Sequence, residues 1–264
     1  MVPELRLIFA ALAALTATVA QSENALPLVS VAPPGYVFDQ PRILTQQRLF
    51  GLAHGISLLA ERCFDQPAHG EEVRQAYAAW QQQQGATIAL AQEELARYYF
   101  GERAGEATWP DIVTALGLQN MLSLKLSSSK LKAACATLPQ ALGRYHNDLA
   151  AQFELQAKLD RLTVAAVTEA QVDACKILLT GDASAALDAG IEAWRQHYSS
   201  ALSEARQAVE QRWQEAQLEG TLDHWLSQAR SSGRHQATAD RCEGLATWLA
   251  TPAADPDAPF KPKS

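Results

Sequence analysis

Apolar side chains recur at steps of three and four residues in two long segments of the chain, which is the spacing of one helical face. The first segment runs from about Glu71 to Phe100. Its stripe consists of Val73, Tyr77, Trp80, Gln84, Ile88, Ala91, Leu95 and Tyr99, with Gln84 as the polar exception. The second segment runs from about Ala183 to Leu218. Its stripe consists of Leu187, Ile191, Trp194, Tyr198, Leu202, Ala205, Val209 and Trp213. The pattern predicts two long amphipathic helices.

The two stripes coincide at an offset of 114 in residue number, which places Trp194 on Trp80. The four cysteines follow a similar rule. Cys63 and Cys175 precede the long helices at an offset of 112, and Cys135 and Cys242 follow them at an offset of 107. Small insertions in loops would account for these unequal offsets. The sequence therefore predicts an internal duplication.

The predicted fold is all-α, with two tandem, internally duplicated four-helix units, each with one disulfide. The first unit spans 42–145 and the second spans 146–250. In each unit a helix ending at a cysteine precedes the long helix, and two shorter helices follow. Thr108 and Thr221 stand where the first of these short helices would need an N-cap. We expect the first helix of the second unit to run almost continuously from Asp148 to Thr180.

The four cysteines predict two disulfides if the protein is exported. Three pairings are possible. The duplication favours Cys63–Cys135 and Cys175–Cys242, because a unit that was copied would carry its own bridge. No Cys-x-x-Cys motif occurs in the chain, so its sequence lacks the commonest zinc and thioredoxin signatures.

Both ends of the chain differ from the helical middle. Residues 1–20 contain an apolar run that ends in Thr18, Val19 and Ala20, which is typical of a secretory signal peptide. The proline-containing stretch 21–41 indicates an extended leader, and the proline-rich stretch 251–264 indicates a disordered tail. The predicted location is therefore periplasmic or secreted, with no stable membrane insertion after signal cleavage.

The charge pattern excludes several classes of partner. The chain has 264 residues, is 48% hydrophobic and carries a net charge of −7. A mildly acidic, unclustered surface is not typical of proteins that bind nucleic acid. No run of lysine and arginine is present that would bind an anionic membrane. We expect no nucleic-acid partner.

His54 is the most prominent candidate for chemistry, because it lies between two glycines on a predicted helix. A histidine in a duplicated, exported helical bundle resembles the imelysin-like periplasmic proteins, whose motif is Gly-x-His-x-x-Glu. In this chain Gly51 precedes His54 by three positions and Ser57 stands where the motif has glutamate, and Ala166 is the aligned residue of the second unit. The motif is therefore not reproduced, and we expect His54 to be packed or solvent-facing.

The remaining sequence offers few functional signals. No nucleophile, phosphate-binding or zinc-protease motif is present, and we expect no cofactor and no metal. Three tryptophans of the second unit, Trp213, Trp225 and Trp248, form a possible interaction surface. The alternative is that they are buried between the units or under loops.

These signals favour a non-catalytic protein that acts through a helical surface on an unknown protein partner in the cell envelope. Three alternatives stay open. The protein could carry a small ligand or metal in a bundle cavity near His54 and Gln84. It could be an inhibitor or immunity protein with an exposed patch on one unit. It could be an enzyme whose site has no familiar motif.

Overall fold

The computed structural model describes residues 28–118, 126–215 and 221–261. These residues form eight α-helices, short 3-10 turns and no strand, so the predicted all-α class is confirmed. The helices are α1 (Pro41–Phe64), α2 (Gly70–Phe100), α3 (Trp109–Ala115), α4 (Ser128–Leu142), α5 (Leu149–Leu178), α6 (Asp182–Glu215), α7 (Leu222–Gln236) and α8 (Ala239–Leu249). We refer to α1–α4 as the first half and to α5–α8 as the second half.

The two disulfides join the predicted cysteines, Cys63 to Cys135 and Cys175 to Cys242. Each one links the end of the first helix of a half to the fourth helix. All four cysteines are buried in the core. A disulfide between the first and the fourth helix therefore closes each half.

Each half contains two clusters of buried apolar side chains. The cluster around each disulfide includes a tryptophan, Trp80 in the first half and Trp194 in the second. The other cluster packs the first helix against the far end of the long helix, with Phe50 in the first half and Leu162 in the second. The core is thus distributed along the bundle rather than concentrated at one point.

Threonines begin the two short helices, as predicted. The backbone N–H and the hydroxyl of Thr108 donate to the Asp111 carboxylate at 2.9 Å and 2.6 Å. The Thr221 hydroxyl accepts from the backbone N–H of His224 at 3.1 Å. Such caps satisfy N–H groups that have no partner within the helix.

The third helices of the two halves pack differently. Helix α3 contacts α2, whereas α7 lies along α5. Gly233 permits this close approach, because a Cβ at that position would lie 2.3 Å from the carbonyl oxygen of Val167 in α5. No larger residue fits there without moving α7.

The junction between the halves depends on a buried glutamine in α2. Gln84 Oε1 accepts from the backbone N–H groups of Leu149 and Ala150, at 2.9 Å and 3.3 Å. Asp148 caps the same helix by accepting from the N–H of Ala151. Gln84 occupies a core position because it satisfies two otherwise unpaired N–H groups at the start of α5.

The C-terminal segment contradicts the predicted disorder over residues 251–261. It folds into two 3-10 turns and buries Ala254 and Phe260. The indole N–H of Trp194 donates to the carbonyl of Ala254 at 2.8 Å. Arg161 binds the Asp257 carboxylate through two hydrogen bonds of 2.6 Å and 2.8 Å. Composition suggested a solvated tail, but these contacts hold the segment against the helices.

The leader contains no helix from residue 28 to residue 40 and packs across the first half. Buried Tyr99 donates its hydroxyl proton to the Gly35 carbonyl at 2.6 Å, and Gln47 donates to the same carbonyl at 3.1 Å. Burial raises the pKa of Tyr99 to about 12. The leader is therefore held by a buried polar network rather than by regular structure.

Some predictions fall outside the described residues. The signal peptide at 1–20, part of the leader and the last three residues lie there, as does the end of the second predicted long helix after Glu215. Across residues 28–118, 126–215 and 221–261, no helix combines the length and the apolar character needed to cross a membrane.

Candidate functional site

A cavity of about 380 Å³ lies in the first half where α1, α2 and the start of α3 meet. Its lining residues are Ala53, His54, Ser57, Leu58, Glu61, Tyr77, Gln81, Ile88 and Trp109. The first five lie on successive turns of α1, because positions three and four apart share a helical face. The cavity therefore brings together polar groups from two helices on an otherwise apolar wall.

His54 is 6% exposed and is the most deeply buried polar residue of this lining. Its Nδ1 accepts a hydrogen bond from the Trp109 indole N–H at 3.2 Å. A neutral imidazole whose Nδ1 accepts must carry its proton on Nε2. His54 Nε2 is buried and has no hydrogen-bond partner among the described residues. The side chain thus holds one unused donor.

Burial lowers the pKa of His54 below its usual value, and the Glu61 carboxylate opposes this shift. The imidazole is therefore neutral at pH 7, which agrees with the tautomer that its bond to Trp109 requires. A neutral His54 leaves Glu61 as the single charged side chain among the described residues of the lining.

A second polar group in the cavity is a pair of hydroxyls. Ser57 Oγ lies 2.6 Å from the Tyr77 hydroxyl oxygen, and Gln81 Nε2 donates to the same Tyr77 oxygen at 2.8 Å. The two hydroxyls carry two protons, and the bond between them uses one. The other proton has no acceptor among the contacts of the described side chains, so the pair can donate one further bond.

At the offsets that the sequence predicts between the two units, the second half has different residues. An offset of 112 between α1 and α5 places Ala166 at His54 and Glu169 at Ser57, and an offset of 114 between α2 and α6 places Arg195 at Gln81. Arg195 and Glu169 form an ion pair of 3.0 Å between α5 and α6. Ala166 belongs to the apolar cluster in which two leucines of α7 are packed. Apolar packing and an ion pair thus replace the imidazole and the hydroxyl pair.

Two other cavities differ from this one in their polar groups. One, of about 390 Å³, lies between the start of α1, α2 and the C-terminal segment. Its Arg42 and Glu94 are already bonded to each other. The other, of about 360 Å³, lies in the second half beside Trp194 and the exposed His197. Among the residues that the structure describes, neither lining includes a side chain with a buried, unpartnered polar atom.

The structure separates the three tryptophans of the predicted interaction surface. Trp213 packs against the cluster that contains Leu222, whereas Trp248 packs against the cluster around the second disulfide. Trp225 is 46% exposed. The three side chains do not share one cluster. Their role as an interaction surface stays a prediction.

Sequence reasoning identified His54 but missed the residues around it. Ser57, Tyr77 and Gln81 had no motif to mark them. The available signal was positional, because Ser57 follows His54 by three residues on one face of α1 and Gln81 follows Tyr77 by four on α2. Gln84, which the small-ligand alternative placed near a cavity, caps α5.

Comparison with protein-family models, with curated proteins and with solved structures finds no match for the chain. Within the described ranges, no group of three or more histidine, cysteine, aspartate or glutamate side chains is arranged to hold a metal ion.

Proposed function

We propose that the protein is an exported, non-catalytic binding protein that takes a small organic ligand into the His54 cavity of its first half. One observation carries this proposal. The first half holds a cavity lined by His54, whose Nε2 is buried and unpartnered, whereas the proposed duplication places Ala166 and an ion pair at this position in the second half. Cavities of a few hundred Å³ with a few convergent polar groups are typical of small-molecule sites.

The proposal includes an origin of the two halves by internal duplication. Helices α1 and α5 bury equivalent residues at an offset of 112, and α2 and α6 do so at 114. The pairs in α1 and α5 are Phe50 and Leu162, Ala53 and Ala165, His54 and Ala166, Ile56 and Thr168, and Ala60 and Val172. The pairs in α2 and α6 are Val73 and Leu187, Tyr77 and Ile191, Trp80 and Trp194, Ala91 and Ala205, and Leu95 and Val209.

Hydrogen bonds outside the helices support the same equivalence. Trp80 donates its indole N–H to the carbonyl of Asn147 at 2.7 Å, and Trp194 donates to that of Ala254 at 2.8 Å. The two acceptors are related by an offset of 107, which is also the offset between the two later cysteines. In the proposed duplication, the C-terminal segment therefore corresponds to the junction between α4 and α5.

Export of the protein would account for its two disulfides. All four cysteines form disulfides, and disulfides persist mainly in oxidising compartments such as the periplasm and the extracellular space. The signal-like residues 1–20 point to the same route. We propose a periplasmic or secreted location on these grounds.

Binding is favoured over nucleophilic catalysis by the contacts inside the cavity. Ser57 bonds Tyr77, while His54 bonds Trp109, so the hydroxyl and the imidazole do not form a nucleophile–base pair. Recognition of an envelope protein remains the second candidate, for which the exposed Trp225 is the specific observation.

A fragment screen of the full exported chain by ligand-observed NMR tests the proposal. The matched control is the double variant Ser57→Glu/Gln81→Arg, which copies the ion pair of the second half into the cavity. We expect fragments that bind the wild type and lose most of their signal with the variant, because the longer side chains would occupy the cavity. Hits that bind both proteins equally would show that the cavity is not the site and would overturn the proposal.

A further inference from the structure

The charge of the His54 cavity restricts its ligand. Glu61 contributes a carboxylate, and the described lining contains no lysine and no arginine. Glu61 is exposed, whereas His54 is deeply buried, so the negative charge lies towards solvent and the neutral donors lie inside. An anionic ligand would face this carboxylate without a cation to compensate it.

Two residues of the inner lining carry hydrogen-bond donors without a partner. His54 Nε2 carries a proton without a partner, and the Ser57–Tyr77 pair has one proton to donate. A ligand that presents an acceptor atom to these donors therefore gains hydrogen bonds that a purely apolar ligand does not make.

Aromatic side chains form another part of the lining. Trp109 lies against Phe50 with ring centroids 4.1 Å apart, and Tyr77 stacks on Trp80 at 6.0 Å. Trp109 and Tyr77 are each held by a neighbouring ring, and both belong to the lining of the cavity. Such rings favour flat ligands and attract cations through their faces.

We propose that the ligand is a small organic cation with an aromatic ring and a hydrogen-bond acceptor, bound with its positive group near Glu61 and its acceptor towards His54 and the Ser57–Tyr77 pair. This inference rests on the proposed function and adds the ligand class. The juxtaposition of an outer carboxylate, inner donors and aromatic rings carries it.

Three probes of similar size separate the charge classes. Tyramine, 4-ethylphenol and 4-hydroxyphenylacetate share a phenol and differ in carrying a positive, a neutral or a negative group. Titration of the isotope-labelled full chain, followed through the Trp109 indole signal, gives the three dissociation constants. We expect the order tyramine, 4-ethylphenol, 4-hydroxyphenylacetate from tightest to weakest.

The variant Glu61→Gln tests the origin of this order. Because Glu61 is exposed, we expect the substitution to weaken tyramine binding about three- to fivefold and to leave 4-ethylphenol binding unchanged. Asp173→Asn is the matched control, since Asp173 is exposed and is the counterpart of Glu61 on α5 at the offset of 112. It should change none of the constants.

Equal or tighter binding of 4-hydroxyphenylacetate, or a tyramine constant that does not respond to Glu61→Gln, would overturn the ligand class. The failure of all three probes to shift the Trp109 signal would overturn it as well. None of these results decides whether the cavity binds a ligand at all, which the fragment screen tests separately. A neutral or anionic fragment that binds the wild type and not Ser57→Glu/Gln81→Arg would uphold the proposed function and contradict only the ligand class.

Discussion

His54 of the first half and Ala166 of the second half, which the proposed duplication aligns, lie in different surroundings. In the first half His54 is buried, bonded to Trp109 and left with one unpaired nitrogen. In the second half Ala166 packs among leucines, and the neighbouring polar residues pair with each other. A buried donor without a partner costs free energy that the second half avoids. The helices of the second half therefore pack without such a donor, and a local cost of this kind is typical of functional positions.

The largest predicted effect tests whether the two halves are closed alike. Removing one disulfide by Cys63→Ala/Cys135→Ala or by Cys175→Ala/Cys242→Ala opens loops of 72 and 67 residues. In the chain-entropy model each loss costs about 4 kcal/mol. Urea unfolding of both variants should show losses that agree within about 1 kcal/mol, since the two loops are nearly equal in length. A loss confined to one variant would contradict equivalent roles for the two bridges.

A second prediction concerns the junction, where the first half caps a helix of the second. Gln84→Met keeps the volume of the side chain but leaves the N–H groups of Leu149 and Ala150 without their acceptor. The expected loss in the free energy of unfolding is about 2 kcal/mol, measured by urea unfolding. The exposed neighbour Gln83 provides the control, because Gln83→Met should change stability by less than about 0.5 kcal/mol. Equal losses in the two variants would show that the cap is not what stabilises the junction.

Exchanging the two residues at the compared position gives a third, asymmetric prediction. Ala166→His forces an imidazole into a packed cluster and should cost about 2 kcal/mol through overpacking. His54→Ala removes the bond to Trp109 together with the unpaired nitrogen and should cost about 1 kcal/mol. Thermal unfolding of the two variants measures the difference. If the two positions tolerated a histidine equally well, the two substitutions would change stability by equal amounts of opposite sign, which would contradict the predicted asymmetry.

The smallest predicted effect is pH-dependent and lies where α1 meets α5. Burial raises the pKa of Asp160 to about 6 from an ordinary value of 3.8, against the opposing effects of Gln156 and Arg48. The folded state therefore binds this proton more tightly than the unfolded state, and stability falls as the pH rises from about 4 to about 6. Asp160→Asn should restore about 1 kcal/mol above pH 6, because partial exposure reduces the full effect of the shift.

Unfolding of the wild type and of Asp160→Asn at pH 3.5 and at pH 7.5 checks this sign. The two proteins should be equally stable at the lower pH, where Asp160 is protonated in the folded state and largely protonated in the unfolded state. A gain at pH 3.5 as large as the gain at pH 7.5 would show that the carboxylate charge is not the cause.

The helices and the disulfides could be predicted because they depend on local and periodic signals. The apolar steps of three and four residues defined α2 and α6 to within a few residues, and the cysteine spacing selected the pairing that the structure contains. These signals can be recognised in the sequence without knowing which helices pack together.

The C-terminal segment and the site could not be predicted, because each depends on contacts that are distant in sequence. Proline and aspartate suggested disorder after residue 250, but Arg161 and Trp194 supply bonding partners that composition does not reveal. The cavity likewise depends on Trp109 meeting His54 and on a tyrosine of α2 meeting Ser57 across helices. In the sequence, Ser57 looks like ordinary helix surface, and nothing places it beside Tyr77.

Chemical-shift mapping of one fragment hit on the isotope-labelled chain tests the central claim most directly. If the first half is the binding half, the largest shifts will fall on the lining residues of α1, α2 and α3, and the signals of Ala166, Glu169 and Arg195 will not move. Shifts centred on the second half, around Trp194 and His197, would contradict the account.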